Sequence, residues 1–260
     1  MILEVKNLGF SYNSYNNETE LFRNVNFGIE KGEIFSVLGA NGAGKSTMLN
    51  CIANLLKPSK GGVYLSGKHI TELSITETAR KIGYVPQIHT PAYGYEVLDF
   101  VVMGRAPYLG FFEKPSLKDY EMAEKALEEL GISKLAKRPY TELSGGERQQ
   151  VTIARVMVQK PDIIMLDEPT NHLDYGNQIR MLHLIKRLAE KGYGIILTSH
   201  MPDHVLFLGG RAGLLHENGS FETGNTEEMV TEQNLRRLYH IDVHMEYIPK
   251  LGRKVCISGE

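Results

Sequence analysis

Nine residues, Gly39-Ala40-Asn41-Gly42-Ala43-Gly44-Lys45-Ser46-Thr47, constrain this chain more than any other stretch. They fit the pattern G-x-x-x-x-G-K-[ST]. The apolar run Ile34–Leu38 before them reads as a buried strand, and residues 46–55 after them read as a helix that Pro58 stops. Glycines at 39, 42 and 44 let the backbone turn tightly, with Asn41 and Ala43 in the same loop. Successive N–H groups then converge on one centre and bind phosphate oxygens. The helix beginning near Ser46 adds roughly half a positive charge at its N-terminus. Lys45 reaches the β- and γ-phosphates, the Ser46 hydroxyl can ligate Mg²⁺, and Thr47 completes the motif. A glycine-rich turn with a chance lysine is the bland alternative. The strand before it and the helix after it argue against that.

A second apolar run, Ile163–Leu166, ends in Asp167-Glu168. Adjacent side chains at a strand end point in different directions. One carboxylate can face a metal ion, mostly through water, while the other positions the attacking water or takes its proton. We assign Asp167 to the first task and Glu168 to the second. A third stretch, Leu143-Ser144-Gly145-Gly146-Glu147, precedes a predicted helix over 147–158. Ser-Gly-Gly at a helix start is a second anion site by the same physics. Two phosphate-binding devices with one cradle invite a dimer, in which each cradle's nucleotide is covered by the other subunit's Ser-Gly-Gly turn.

Apolar strands alternate with helices along the rest of the chain. A strand is expected over 3–12 and another over 195–199. Residues 116–130 form an amphipathic helix with Ser116 and Asp119 at capping-box spacing, and 177–190 form another. This alternation predicts an α/β fold with a mainly parallel sheet covered on both faces. The stretch 87–160 is mostly helical and reads as a subdomain inserted between two halves of the core. The polar run 13–20 reads as a surface loop. At 260 residues, 42% hydrophobic and 23% charged, the chain can bury a substantial core. A net charge of −2 argues against gathering nucleic acid by charge. Two distant cysteines, Cys51 and Cys256, point to a reducing compartment, with Cys51 a small buried hydrophobe. The N-terminus lacks a secretion signal, and no apolar run is long enough to cross a bilayer.

Taken together and in order, these motifs resemble an ABC ATPase, the nucleotide-binding cassette of ABC transporters. Residues 39–47 look like its Walker A, 163–168 its Walker B and 143–147 its signature. The resemblance implies a P-loop NTPase fold with an antiparallel N-terminal β subdomain. It spans residues 1–240, with the helical insertion at about 88–160 and a tail at 241–260. It also assigns further residues. Tyr12 resembles the aromatic that stacks on adenine. Gln87 resembles the glutamine that touches Mg²⁺ and the water and senses the membrane partner. Asp174 resembles the aspartate at the dimer seam, and His200 the switch histidine near the γ-phosphate. ATP and Mg²⁺ are the implied cofactors, with Ser46, Gln87 and Asp167 around the metal. His172, His183 and His204 gain no such support and are expected to be structural.

Within the family, Val102-Met103-Gly104-Arg105-Ala106-Pro107-Tyr108 and Thr170-Asn171-His172-Leu173-Asp174 resemble importer ATPases for iron-siderophores, haem, cobalamin and metal oxyanions. The resemblance implies a homodimer on the cytoplasmic face of the inner membrane, bound to separate permease subunits and serving a solute-binding protein indirectly. Residues 93–112 hold six aromatics, Tyr93, Tyr95, Phe100, Tyr108, Phe111 and Phe112, against 8% aromatics over the chain. Aromatics suit a subunit interface, and the family resemblance implies that the permease docks near residues 87–112. Core packing of the helical subdomain is the competing use of these rings. A soluble ABC ATPase in cofactor assembly or regulation is the runner-up. Nucleic-acid remodelling is weaker, for lack of a basic stripe.

Overall fold

The computed structural model describes residues 1–14, 17–87 and 93–258. In chain order the strands are β1 (Leu3–Ser14), β2 (Asn17–Ile29), β3 (Ile34–Leu38), β4 (Lys60–Leu65), β5 (Lys68–His69), β6 (Ile82–Val85), β7 (Ile163–Leu166), β8 (Gly194–Ser199), β9 (Arg211–Leu215), β10 (Phe221–Asn225), β11 (Val243–Ile248) and β12 (Arg253–Ser258). The helices are α1 (Lys45–Ile52), α2 (Ile75–Lys81), α3 (Val97–Val102), α4 (Leu117–Glu129), α5 (Gly145–Gln159), α6 (Tyr175–Glu190), α7 (Pro202–Leu208), α8 (Thr226–Met229) and α9 (Glu232–Tyr239).

The central sheet runs β10-β9-β3-β8-β7-β6, parallel except for β10 at its edge. Strands β3, β7 and β8 are buried along their whole length, so both their faces must be covered. Successive residues do alternate between two cores. Ile164, Leu166, Ile195 and Leu197 pack with α5 and α6, whereas Met165, Ile196, Phe35 and Val37 pack with α1 and the N-terminal strands. Those N-terminal strands form a separate antiparallel sheet, β2-β1-β4-β5. Register decides where function can sit. Leu38 lies beside Ser199 and Leu166 beside Leu197, so β3, β7 and β8 end along one edge. In open α/β sheets that carboxyl edge is where ligands bind.

Helices α3, α4 and α5 form the expected insertion around a core that includes Phe100, Leu127, Tyr140 and Val151. The capping box of α4 is present. Ser116 donates its N–H and its hydroxyl to Asp119 Oδ2, at 2.9 and 2.7 Å. Arg105 Nε donates to the other Asp119 oxygen at 2.9 Å, which ties the helix start to the preceding turn. Together these hold the Asp119 carboxyl down at about 2, with the Ser116 hydroxyl the largest cause.

Residues 13–20 are a correction. The structure continues β1 and β2 through this segment, pairing Asn13 with Glu18 and Ser14 with Asn17. Residues 15 and 16 lie outside the described residues. An antiparallel ribbon is held by backbone bonds, so a polar run pairs as readily as an apolar one when nothing needs burying. Residues 243–258 also fold against the core. Strands β11 and β12 form a hairpin whose Met245 and Cys256 pack with Leu38, Val205 and Leu235.

Candidate active site

At the carboxyl edge, residues 39–47 wrap a cavity of about 370 Å³. Asn41, Gly42, Gly44, Lys45, Ser46 and Thr47 line it from the loop, with Tyr12, Leu21, Gln87 and Glu168 from other elements. Gly44 caps α1 at φ 102°, and an added Cβ there would lie 2.7 Å from Leu21 Cγ, so both backbone and space demand glycine. Gly39 does not line the cavity. It ends β3 so close to the Leu215 carbonyl that a Cβ would sit 2.7 Å from it. Ala43 is buried beneath the loop.

Lys45 is only 6% exposed and points under its own loop. Its Nζ donates to the carbonyls of Gly39 at 2.9 Å and Ala40 at 3.1 Å. Glu168 Oε1 lies 3.0 Å from the same nitrogen as a charge contact, out of line for a hydrogen bond. The other Glu168 oxygen, Oε2, accepts from His200 Nδ1 at 2.8 Å. That contact places the proton on Nδ1 and turns Nε2 away from the carboxylate. Glu168 itself stands at φ 47°, just beyond β7, which swings its side chain off the strand direction. Parallel pairing therefore joins three residues far apart in sequence into one chain, Lys45–Glu168–His200.

Asp167 is buried on the same strand end and is held by residues that sequence reasoning missed. Thr198, on β8, donates its hydroxyl to Asp167 Oδ1 at 2.7 Å and accepts the Glu168 N–H at 2.8 Å. Tyr84, on β6, donates to Asp167 Oδ2 at 3.4 Å. Burial, and then the Asp167 charge, push the Tyr84 phenol above its ordinary range, so it remains a donor. The one available signal was a hydroxyl residue, Thr198, following the apolar run Ile195–Leu197 in a fully buried strand. Leu21 was missed as well. Only the β1–β2 pairing brings it over Gly44.

Tyr12 stands at the cavity rim, with its hydroxyl 3.3 Å from Thr47 Oγ1. Gln87 follows β6 and lines the cavity, as Glu168 does. Ser46 and Gln87 line the cavity, whereas Asp167 lies behind it with its two oxygens on Thr198 and Tyr84. All three are hard oxygen donors, the type that suits Mg²⁺ when substrate phosphates supply further ligands. Among the described residues no three His, Cys, Asp or Glu side chains converge as a metal cage.

The Ser-Gly-Gly turn lies elsewhere. None of Ser144, Gly145, Gly146 or Glu147 lines the cavity of their own chain. Ser144 caps α5, donating its N–H and hydroxyl to Glu147 Oε2 at 2.9 Å each. These bonds hold the Glu147 carboxyl below the usual carboxylate range, with the Ser144 N–H the largest cause. Asp174 caps α6 by accepting from Asn177 N at 2.8 Å. A Cβ at Gly146 would lie 3.3 Å from Asn177, so the starts of α5 and α6, which carry Ser144 and Asp174 as caps, meet.

His172, His183 and His204, left out of the expected site, do not line the cavity. His204 is buried, bonded to Thr170 Oγ1 at 3.1 Å, and burial pushes its pKa below the ordinary value. His183 packs edge-on against Phe207. His172 occupies a turn at φ 60°. Cys51 is buried, and burial pushes its thiol up to about 12. The aromatics of 93–112 divide. Phe100 stacks on Tyr140, and Tyr108 lies under the Arg105 guanidinium at 3.9 Å. Tyr93, Tyr95, Phe111 and Phe112 are exposed. Residues 88–92 of the expected docking segment lie outside the described residues.

A phosphate cradle and two strand-end acids on one edge of a parallel sheet, flanked by an antiparallel sheet and a helical insertion, define a P-loop ATPase cassette. The ABC transporter family model matches residues 22–171, and the chain belongs to that family. The chain is 38% identical over 240 residues to the molybdate import ATP-binding protein MolC of Haemophilus influenzae, covering 92% of this chain and 88% of the other. A metal-chelate type ABC transporter in an inward-facing conformation superposes with a TM-score of 0.87 at 35% identity, covering 100% of this chain and 98% of the other. A dimeric cassette, MJ0796, in a post-hydrolysis state with ADP and Pi, superposes with a TM-score of 0.74 at 29% identity, covering 86% and 98%.

Proposed function

We propose that this chain is the ATP-hydrolysing subunit of an importer for a metal chelate, haem, cobalamin or metal oxyanion, working as a head-to-tail homodimer beneath separate permease subunits on the cytoplasmic face of the inner membrane. The contact chain Lys45–Glu168–His200 beneath the cradle carries the hydrolytic part of this reading. The import part is supported by the likeness to MolC and to the metal-chelate transporter, which also favours it over a soluble assembly or regulatory ATPase. The chain has no helix among its described residues long and apolar enough to cross a membrane, so a separate permease supplies the path. The exposed rings of Tyr93, Tyr95, Phe111 and Phe112 are the apolar groups offered to it within the segment 87–112.

In this reading the loop N–H groups hold the triphosphate and Tyr12 stacks on its base. Lys45 leaves Glu168 for the γ-phosphate, whose charge is the stronger partner. Glu168 Oε1 is then free to accept a proton from the attacking water, while His200 keeps Oε2 in place. Mg²⁺, when bound, would neutralise charge on the phosphates, and Ser46, Gln87 and Asp167 are the residues that would hold it. Ser144, Gly146 and Asp174, at the starts of α5 and α6, face the γ-phosphate of a second copy. Closure is favoured because the terminal phosphate then has partners on both sides, and hydrolysis removes them. Gln87 carries the change to the permease. Glu168→Gln tests the central role. It should bind ATP, lose about 100-fold or more in turnover, and accumulate as a closed dimer. Turnover equal to wild type would remove Glu168 from the water-activating position.

A further inference from the structure

The turn that carries His200 is held from its far side by the C-terminal segment. Tyr239, the last residue of α9, donates its hydroxyl to the backbone carbonyl of His200 at 2.9 Å. Three residues beyond His200, Asp203 Oδ1 accepts the backbone N–H of Cys256 on β12 at 2.9 Å. The Arg253 guanidinium approaches the same oxygen at 3.9 Å. Between these ties lie only Met201 and Pro202, and the proline ring fixes one of the remaining backbone angles.

His200 is the first residue beyond the β3–β8 ladder, which ends at Leu38 and Ser199. Its carbonyl therefore has a partner from α9 where the sheet no longer continues. A hydrogen bond to that carbonyl fixes the plane of the 200–201 peptide. That plane helps set the direction of the Cα–Cβ bond, and so the aim of the imidazole at Glu168. The phenol suits the task. Its ring packs with the cluster of Leu38, Val205 and Leu238 that also seats the hairpin. Burial, reinforced by the Glu168 charge, keeps the hydroxyl protonated and donating.

We infer that Tyr239 is a positioning residue for His200, and that α9 with the β11–β12 hairpin belongs to the hydrolytic machinery. The inference rests on the roles of Lys45, Glu168 and His200 given above. It predicts a specific coupling, because the tie has no use once the imidazole is gone.

The test uses the full-length chain and phosphate release from ATP, for wild type, Tyr239→Phe, His200→Ala and the double variant. Tyr239→Phe keeps the packed ring and deletes only the hydroxyl, so its melting temperature should fall by no more than about 4 °C. Its kcat should fall about 5- to 10-fold, the worth of one hydrogen bond, with KM for ATP changed by less than about twofold. In the His200→Ala background the same substitution should change kcat by less than about twofold. Equal losses in both backgrounds would show that the hydroxyl acts elsewhere, and an undiminished kcat would show the tie to be idle. If His200→Ala alone turns over as fast as wild type, the reading of the site fails, and the role of Tyr239 fails with it.

Discussion

Replacing Thr198 by Val should damage both stability and catalysis, although it changes the volume of the side chain very little. Thr198 is fully buried in β8, and valine keeps its branched shape and strand preference. Only the hydroxyl is lost. That hydroxyl donates to the Asp167 carboxylate at 2.7 Å and accepts the Glu168 N–H at 2.8 Å. A hydrogen bond to a charged partner is worth about 2 kcal/mol and one to a neutral partner about 1 kcal/mol. The sum, about 3 kcal/mol, shifts the urea midpoint downward by about 1 M for a slope near 3 kcal/mol per M. Turnover should fall as well, because Asp167 and the backbone of Glu168 lose their common support. Equilibrium unfolding followed by circular dichroism, with phosphate release on the same preparations, reads both effects. A midpoint within about 0.2 M of wild type would refute the reasoning, because two buried bonds cannot be lost at so small a cost.

Ser144→Arg should spare ATP binding by monomers and block ATP-driven dimerisation in a sizing experiment, at a cost of about 1 kcal/mol for the lost cap. Normal dimerisation would count against the shared site. Asp119 gives a pH signature. Its folded pKa of about 2 lies below the ordinary 3.8, so its stabilisation is present above 3.8 and is lost as pH falls towards 2. Asp119→Asn should therefore lose less stability than wild type between pH 5 and about pH 2.5 in thermal melts. Parallel pH curves for the two proteins would exclude Asp119 as the titrating group.

Much of this site was legible in the chain itself. A cradle needs contiguous N–H groups and glycines at fixed offsets, and such local geometry is written in neighbouring residues. The same holds for the Ser-Gly-Gly turn at the start of α5, the Ser116–Asp119 box and the short, mainly apolar runs of β3 and β7. The polar run 13–20 was misread because composition reports burial, and an edge ribbon needs none. The six aromatics of 93–112 could not be divided from spacing alone. Phe100 went to the core, whereas Phe111 and Phe112 stayed outside.

Sequence by itself determined that phosphate would be held, and by which loop, because those contacts lie within a few residues of one another. Tertiary structure alone decided what stands behind the loop. Thr198 reaches Asp167 across 31 positions, and Tyr239 reaches His200 across 39. Both contacts depend on the order and register in which distant strands pair, and those follow from the packing of the whole core.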